Sequence, residues 1–236
     1  MKLLPRSSLL AFSLLALAPL AALATTPAVA ATSAATERKP TNDWSKIMAE
    51  FAHEDATNPS PKGVVLFVGS SSIRLWTSIA TDFPGLQFRN RGFGGSQIVD
   101  SLVHFDRLVQ PHQPRLIVFY AGTNDINAGK SPEAVAADFR EFCARVHAFS
   151  PTTHLLYIGA QQNPARWALR EKMAELNTLV ARFCATDARL KFVDPNITML
   201  AADGTPRPEL FVADRLHMSP AGYAMWREII APFIVP

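Results

Sequence analysis

The chain has 236 residues and a formal net charge of +3, from 23 Lys and Arg against 20 Asp and Glu. This length suits one α/β domain with a sizeable core, and no part of the chain resembles a second domain. The basic residues form no cluster outside the N-terminal segment, so we expect no nucleic-acid partner. The two cysteines, Cys143 and Cys184, lie far from any Cys/His cluster, and no metal site is predicted.

The first 24 residues have the composition of a secretory signal peptide. Lys2 and Arg6 form a basic start, a Leu- and Ala-rich stretch follows, and Ala22-Leu23-Ala24 offers the small residues at which signal peptidase cuts. A later cut, after residue 30, stays open. We expect the protein to be exported, either to the periplasm or out of the cell. Removal of this segment, which has two basic residues and no acidic one, lowers the net charge from +3 to +1.

Residues 25–40 are rich in Thr, Ala and Pro and are expected to form a flexible leader before a domain at 41–236. The alternative for the N-terminal segment is a membrane anchor. Its apolar stretch is shorter than the ~20 residues that span a bilayer, and a processing site follows it. We therefore expect no stable membrane insertion after cleavage.

Short apolar runs alternate with longer helical patterns along the rest of the chain. A helix is expected at 43–52, and the last helix is expected to begin at Pro220 and end near Ile230. Helix starts are also indicated where a capping side chain precedes a proline, as in Ser131-Pro132, Asn163-Pro164 and Ser219-Pro220. The runs predict strands at 64–68, 86–90, 116–121, 154–158 and 190–193.

Two of the expected helices carry apolar side chains every three or four residues, which predicts that they pack on a sheet. The alternation of strands and helices predicts a single doubly wound, flavodoxin-like sheet of five parallel strands with helices on both faces. Cys143 and Cys184 fall within these helices, and a disulfide and two buried thiols are equally compatible with the sequence. The two stripes are Val135, Phe139, Phe142, Val146 and Phe149, and Leu169, Met173, Leu176, Val180 and Phe183.

Polar segments follow the first three predicted strands, and one more lies in the long loop after the fifth. Sites in such sheets lie at the carboxyl ends of the strands, so this coincidence predicts one shared site. A serine becomes a nucleophile when an imidazole removes its proton, and a carboxylate orients that imidazole. The segments are Ser70-Ser71-Ser72, Gly92-Phe93-Gly94-Gly95, Gly122-Thr123-Asn124-Asp125, and Asp214 with His217.

Each segment also has an ordinary structural explanation. The serines can cap a helix, the glycines can form a tight turn, and Asn124 with Asp125 can do the same. The sequence around Ser71 is not the Gly-x-Ser-x-Gly elbow of α/β-hydrolases, and the glycine segment does not match a dinucleotide-binding fingerprint. The remaining histidines are interpreted as structural or surface residues: His53, His104, His112, His147 and His154.

Taken in order, the four segments resemble the sequence blocks of the SGNH/GDSL hydrolase superfamily, which supply a Ser, a Gly, an Asn and a His. The resemblance covers the chain from about residue 64 to the last helix. It implies Ser71 as nucleophile and His217 as general base with Asp214 as its orienting partner. It also implies an oxyanion hole formed by Ser71, Gly95 and Asn124, with no cofactor. Ser70 stands where the family usually has Asp.

This resemblance implies a serine esterase that acts on short-chain or water-soluble esters through an acyl-enzyme. A carbohydrate or peptidoglycan O-deacetylase and a lysophospholipase or thioesterase are the enzymatic alternatives, and an exported ligand-binding protein is the non-enzymatic one. Residues beyond the fourth strand are expected to line the acyl or alcohol pocket, although a packed helix start with surface polar residues explains them equally well. They are Gln161, Gln162, Asn163, Arg166 and Trp167.

Overall fold

The computed structural model describes residues 38–234, and the predicted signal peptide 1–24 lies outside the described residues. Within them, five parallel strands form one sheet in the order β2-β1-β3-β4-β5, which confirms the predicted doubly wound sheet. Chain order reverses between β1 and β3, and such a reversal opens a crevice at the carboxyl ends of the strands. The strands are β1 (Val65–Gly69), β2 (Phe88–Gly92), β3 (Leu116–Tyr120), β4 (His154–Ile158) and β5 (Leu190–Val193).

Helices connect the strands throughout residues 38–234. None of them is both long and apolar enough to cross a membrane. Short 3₁₀ helices occupy Gln110–His112, Pro164–Leu169 and Pro208–Leu210. The α-helices are α1 (Ser45–Thr57), α2 (Ser71–Arg74), α3 (Ile79–Asp82), α4 (Ile98–Val103), α5 (Phe105–Leu108), α6 (Thr123–Asn127), α7 (Pro132–Phe149), α8 (Arg170–Cys184), α9 (Asn196–Met199) and α10 (Pro220–Ile234).

Both faces of the sheet are buried, because successive side chains of each strand point to opposite sides. On β1, Leu66 and Val68 join a cluster with residues of α1, α4, α7 and α8. Val65 and Phe67 join a second cluster that contains Trp226 of α10. Helices therefore cover both faces, as predicted.

The boundaries of β4 and β5 agree with the prediction, whereas the edge strand β2 begins two residues later than expected, at Phe88. The last helix continues past Ile230 to Ile234, with Pro232 inside it. Of the stripe predicted on α7, only Phe149 at the helix end is exposed, by 37%.

Strand β2 continues past its predicted end at residue 90 and includes Arg91, a charged residue that is unusual in a buried strand. The side chain of Arg91 is completely buried, and its guanidinium pairs with Glu54 at 2.8 Å and with Asp55, both on α1. It also lies 4.8 Å from the centre of the Phe51 ring. A buried charge must be paired, and its partners come from a distant helix that the local pattern does not reveal.

Contacts with the domain begin before the predicted boundary at residue 41. Arg38 lies in the segment predicted to be a flexible leader, but its guanidinium pairs with Asp138 at 2.5 Å and with Glu141, both on α7. Thr41 donates its backbone N–H to the buried carboxylate of Asp100 at 2.6 Å. The end of the predicted leader is thus attached to the helices of one face.

One local prediction differs from the structure in detail, and one pair of alternatives is resolved. Asn163-Pro164 begins a 3₁₀ helix instead of α8, because the backbone of Arg166 leaves helical geometry at φ −119° and ψ 28°. The α-helix itself starts at Arg170. Of the two alternatives for the cysteines, the structure has the thiols: Cys143 and Cys184 are free and buried.

Candidate active site

The carboxyl ends of β1, β2 and β3 bring three of the predicted segments side by side. Gly69 at the end of β1 is in register with Gly92 of β2 on one side and with Tyr120 of β3 on the other. Ser71 begins α2 directly after β1, and Asn124 lies in α6 directly after β3. The crevice at the reversal of chain order therefore contains the serines and the amide.

The loop before α10 adds the imidazole and the carboxylate. The Nε2 atom of His217 lies 2.8 Å from the Oγ atom of Ser71, and its Nδ1 atom lies 2.6 Å from the Oδ2 atom of Asp214. Both are hydrogen-bond distances, although Ser71 and His217 are far apart in sequence. One imidazole thus connects a hydroxyl to a carboxylate.

A tight turn explains why a spacing of three residues suffices for Asp214 and His217. The second carboxylate oxygen of Asp214, Oδ1, accepts the backbone N–H groups of Leu216 and His217, both at 2.9 Å. Arg215 takes a left-handed φ of 60° within this turn. The hydrogen bond from the His217 side chain, followed by those two backbone bonds, lowers the pKa of Asp214 to about 2. The carboxylate is therefore ionised beside the imidazole at neutral pH.

The turn from β1 into α2 requires glycine at position 69. Gly69 has φ 146°, and a Cβ there would lie 1.9 Å from the carbonyl oxygen of Tyr120. The next residue, Ser70, donates its backbone N–H to that same oxygen at 2.9 Å. Ser70 is buried, and its side chain forms no helix-capping hydrogen bond. Its neutral hydroxyl does not carry the charge of the aspartate that this position usually has in the SGNH/GDSL superfamily. The backbone is thereby fixed where Ser71 starts the helix.

The groups predicted to form the oxyanion hole have N–H donors that remain available to a ligand. Gly95 has φ 86°, a value that favours glycine. Within residues 38–234, the N–H groups of Ser71 and Gly95 donate to no backbone acceptor. The amide of Asn124 donates from Nδ2 to the carbonyl of Ser96 at 3.0 Å, which leaves its second N–H available. Such a group of donors can stabilise negative charge on an oxygen.

Asp125, next to Asn124, is a supporting residue that the sequence did not distinguish from an ordinary turn residue. Its carboxylate is buried and accepts the N–H of Ile98 at 3.2 Å, at the start of α4. The ammonium of Lys130 lies 3.4 Å from it. Burial raises the pKa of Asp125 to about 6, and the nearby Lys130 partly opposes this shift. Asp125 thus connects helix α6, which contains Asn124, to the start of α4 by a hydrogen bond.

A very small pocket of about 10 Å³ adjoins Ser71. Gln161 donates from Nε2 to the carbonyl of Leu216 at 3.3 Å, while its Oε1 atom is buried without a partner among the described residues. Two lining residues, Tyr120 and Leu216, were not among the residues predicted for the site, because only the fold brings them together. The pocket is lined by Ser70, Ser71, Ser72, Tyr120, Thr123, Asn124, Gln161, Arg166, Leu216 and His217.

The other residues predicted to bind substrate have different positions. Asn163 is completely buried and caps the 3₁₀ helix through the N–H of Arg166 at 3.0 Å, so it supports the backbone and not a ligand. Gln162 donates to the carbonyl of Arg170 at 3.4 Å. Trp167 lines a second, wider pocket of about 370 Å³ that also contains Arg215 of the turn. That pocket is completed by Pro164, Thr205, Pro206, Pro208 and Phe211.

The fold and the site together define a hydrolase of the SGNH type. The profile of the GDSL-like Lipase/Acylhydrolase family matches residues 68–225, and the chain belongs to this family. It is therefore an ester-hydrolysing enzyme of the SGNH hydrolase superfamily.

Named relatives cover most of the chain. The platelet-activating factor acetylhydrolase IB subunit alpha1 of Homo sapiens is 26% identical over 193 residues, which are 76% of this chain and 78% of that protein. A GDSL-like lipase from Bacteroides thetaiotaomicron superposes with a TM-score of 0.70 at 19% identity, over 79% of this chain and 96% of its own. An acetylxylan esterase from Geobacillus stearothermophilus superposes with a TM-score of 0.59 at 15% identity, over 75% and 95%.

Proposed function

We propose that this enzyme is a serine esterase that hydrolyses short-chain or water-soluble carboxylic esters through an acyl-enzyme. The observation that carries the proposal is the continuous hydrogen-bonded chain from Asp214 through His217 to Ser71, with distances of 2.6 and 2.8 Å. In this arrangement the imidazole can accept the serine proton while the carboxylate stabilises the resulting cation.

The first half of the reaction transfers the acyl group to the enzyme. The Ser71 oxygen attacks the ester carbonyl as its proton moves to Nε2 of His217. The N–H groups of Ser71 and Gly95 and the amide of Asn124 hold the negative oxygen of the tetrahedral intermediate. The bond to the alcohol then breaks, and His217 gives its proton to the leaving oxygen.

The second half releases the acid. A water molecule attacks the acyl-enzyme as His217 accepts one of its protons, and the same donors hold the second tetrahedral intermediate. The bond to Ser71 breaks, the serine oxygen regains its proton from His217, and the carboxylic acid leaves. The residues return to their starting protonation states.

The pocket beside Ser71 favours a short acyl group. Its volume of about 10 Å³ is far below the roughly 300–1,000 Å³ of sites for drug-sized ligands. A long acyl chain of a lysophospholipid does not fit this space. Two of the similar proteins are named for acetyl hydrolysis, as an acetylhydrolase and an acetylxylan esterase. Acetyl esters are accordingly the first substrates to test.

A carbohydrate or peptidoglycan O-deacetylase is the second candidate, and the lining of the two pockets favours it. The unpartnered Oε1 atom of Gln161 can accept a hydrogen bond from a sugar hydroxyl. The wider pocket next to the His217 turn presents Trp167 and Phe211, whose rings can pack on a sugar. Acetate release from acetylated xylo-oligosaccharides and O-acetylated peptidoglycan, compared with aryl acetates, separates the two candidates.

Replacement of the nucleophile tests the principal proposal. Ser71→Ala is expected to lower kcat/KM for p-nitrophenyl acetate by at least about 10⁴-fold, because the covalent step is lost. Ser70→Ala and Ser72→Ala remove neighbouring hydroxyls and are expected to give folded, measurably active proteins. Full activity of Ser71→Ala would contradict the proposal, because another group would then have to be the nucleophile.

We also propose that the enzyme acts after export, on the basis of the signal-like composition of residues 1–24. N-terminal sequencing of the protein from a periplasmic or culture-medium fraction is expected to begin at residue 25 or at residue 31. A protein that retains Met1 and stays with the cytoplasmic fraction would contradict this.

A further inference from the structure

We propose that Arg166 is a positioning residue that fixes and polarises the oxyanion-binding amide of Asn124. This inference rests on the proposed function. The guanidinium of Arg166 donates from Nη1 to Oδ1 of Asn124 at 3.0 Å. The other end of the same amide, Nδ2, donates to the carbonyl of Ser96 at 3.0 Å.

These two contacts select one orientation of the amide. If the amide turned over, its oxygen would face the carbonyl oxygen of Ser96, and its NH₂ group would face the guanidinium donors of Arg166. Both contacts would become repulsive. With the amide held as observed, one N–H is bound to Ser96 and the other is available to the pocket that contains Ser71.

The charge of Arg166 adds a second effect. The guanidinium is half-buried, and within residues 38–234 it forms no ion pair with a carboxylate. Burial lowers its pKa, but arginine remains charged in proteins. A cation on the amide oxygen draws electron density from the nitrogen, which makes its N–H a stronger donor.

Arg166 itself is held by the segment that also supports the His217 turn. Its backbone N–H donates to the buried side chain of Asn163 at 3.0 Å. The adjacent Ala165 donates its N–H to the carbonyl of Arg215 at 3.0 Å. The segment after β4 is thus bound to the turn that carries the imidazole, while Arg166 reaches across to the amide.

The competing role for Arg166 is direct recognition of an anionic group on the substrate. In that role its effect would depend on substrate charge. As a positioning residue it would act on every ester equally, because its effect on the transition state passes through Asn124. The two roles therefore predict different kinetics.

A double-mutant cycle between Arg166 and Asn124 distinguishes them. Arg166→Met is expected to lower kcat roughly 10- to 100-fold with little change in KM, because a hydrogen bond to a charged group is lost. Arg166→Lys is expected to recover part of the loss, since it restores the charge without the planar donor geometry. In the Asn124→Ala background, Arg166→Met is expected to have almost no further effect on kcat.

The cycle is measured with 4-acetoxybenzoate and with its neutral methyl ester, and Arg166→Met is expected to slow both by the same factor. Arg189→Met, a change at an arginine just before β5 and so at the amino ends of the parallel strands, away from the site, serves as the matched control for loss of a guanidinium. Thermal unfolding confirms that each variant folds.

Equal effects of Arg166→Met in the presence and absence of Asn124 would overturn the inference. A rise in KM confined to the anionic ester would do so as well, in favour of substrate recognition. Either result, together with an inactive Ser71→Ala, leaves the esterase proposal intact. Activity that does not depend on Ser71 would instead remove the proposed function itself.

Discussion

The donor side of the site, formed by Ser71, Gly95 and Asn124, is held by contacts between distant parts of the chain, whereas the base turn, residues 211–218, is held mainly by itself. Asn124 depends on the carbonyl of Ser96 and on Arg166. In the base turn, Asp214 accepts the N–H groups of the residues two and three positions later, and its side chain is 48% exposed.

Because of this difference, substitutions in the two regions should differ in their effect on stability, although both should lower activity. Exposed side chains contribute little to the free energy of unfolding, whereas a buried polar network is costly to disturb. Changes in the base turn should therefore remove activity and leave the fold unaffected. Changes beneath the donor side should alter stability as well.

Removal of the imidazole should give the largest effect. His217→Ala is expected to lower kcat/KM by on the order of 10⁶-fold, because His217 is the hydrogen-bond partner of the Ser71 hydroxyl among residues 38–234. Its melting temperature should stay close to that of the wild-type protein, since the His217 side chain is only partly buried. Ester hydrolysis assays and thermal unfolding measure the two quantities. A large drop in melting temperature would contradict the independence of the base turn.

Asp214→Asn should cost somewhat less, about 10⁴-fold in kcat. The oxygen of the new amide accepts the N–H groups of Leu216 and His217, so its NH₂ group donates to Nδ1 of the imidazole. The proton then lies on Nε2, the nitrogen that must accept one from Ser71. Single-turnover kinetics at several pH values measure the loss. Nearly normal activity would show that the carboxylate does not orient the imidazole.

Asn124→Ala should lower kcat by ~10² to 10³-fold through loss of one oxyanion donor. KM should change little, because the donor acts mainly on the transition state. Steady-state kinetics with p-nitrophenyl acetate provide the comparison. A rise in KM at constant kcat would mean that the amide binds the ground state instead.

Asp125→Asn should give the smallest effect, a change in how the free energy of unfolding depends on pH. The pKa of Asp125 is raised from 3.8 to about 6 by burial, so the folded state holds the proton more tightly than the unfolded chain. The resulting stabilisation is fully present below pH 3.8 and is lost as the pH rises through about 6. Asp125→Asn, which cannot ionise, lacks this dependence.

Urea unfolding of the wild type and Asp125→Asn at both ends of this range tests the prediction. Relative to the variant, the wild type should gain on the order of 2–3 kcal/mol on going from pH 8 to pH 4. A constant difference between the two proteins would show that the carboxylate does not titrate in this range.

The sequence predicted those parts of the molecule that depend on local pattern. Strands β4 and β5 follow from short apolar runs, and the positions of Ser71 and Asn124 follow from the rule that parallel strands present their sites at their carboxyl ends. The turn at Asp214 follows from side-chain spacing, because its hydrogen bonds join residues only two or three positions apart.

The parts that were missed depend on long-range contacts. Arg91 resembles a surface residue in sequence, yet it is buried because α1 supplies two carboxylates. Arg166 was predicted to line the substrate pocket, but the sequence did not predict that its guanidinium would donate to Asn124, 42 positions away in the chain. Neither pairing has a local signal, since each depends on how the fold brings two elements together.

Reaction with a fluorophosphonate tests the central claim most directly, because only an activated serine reacts quickly with it. Intact-protein mass spectrometry is expected to show one adduct per chain, and peptide mapping is expected to place it on Ser71. His217→Ala should prevent labelling within the same time. No adduct, or an adduct on Ser70 or Ser72, would contradict the proposed alignment of Ser71, His217 and Asp214.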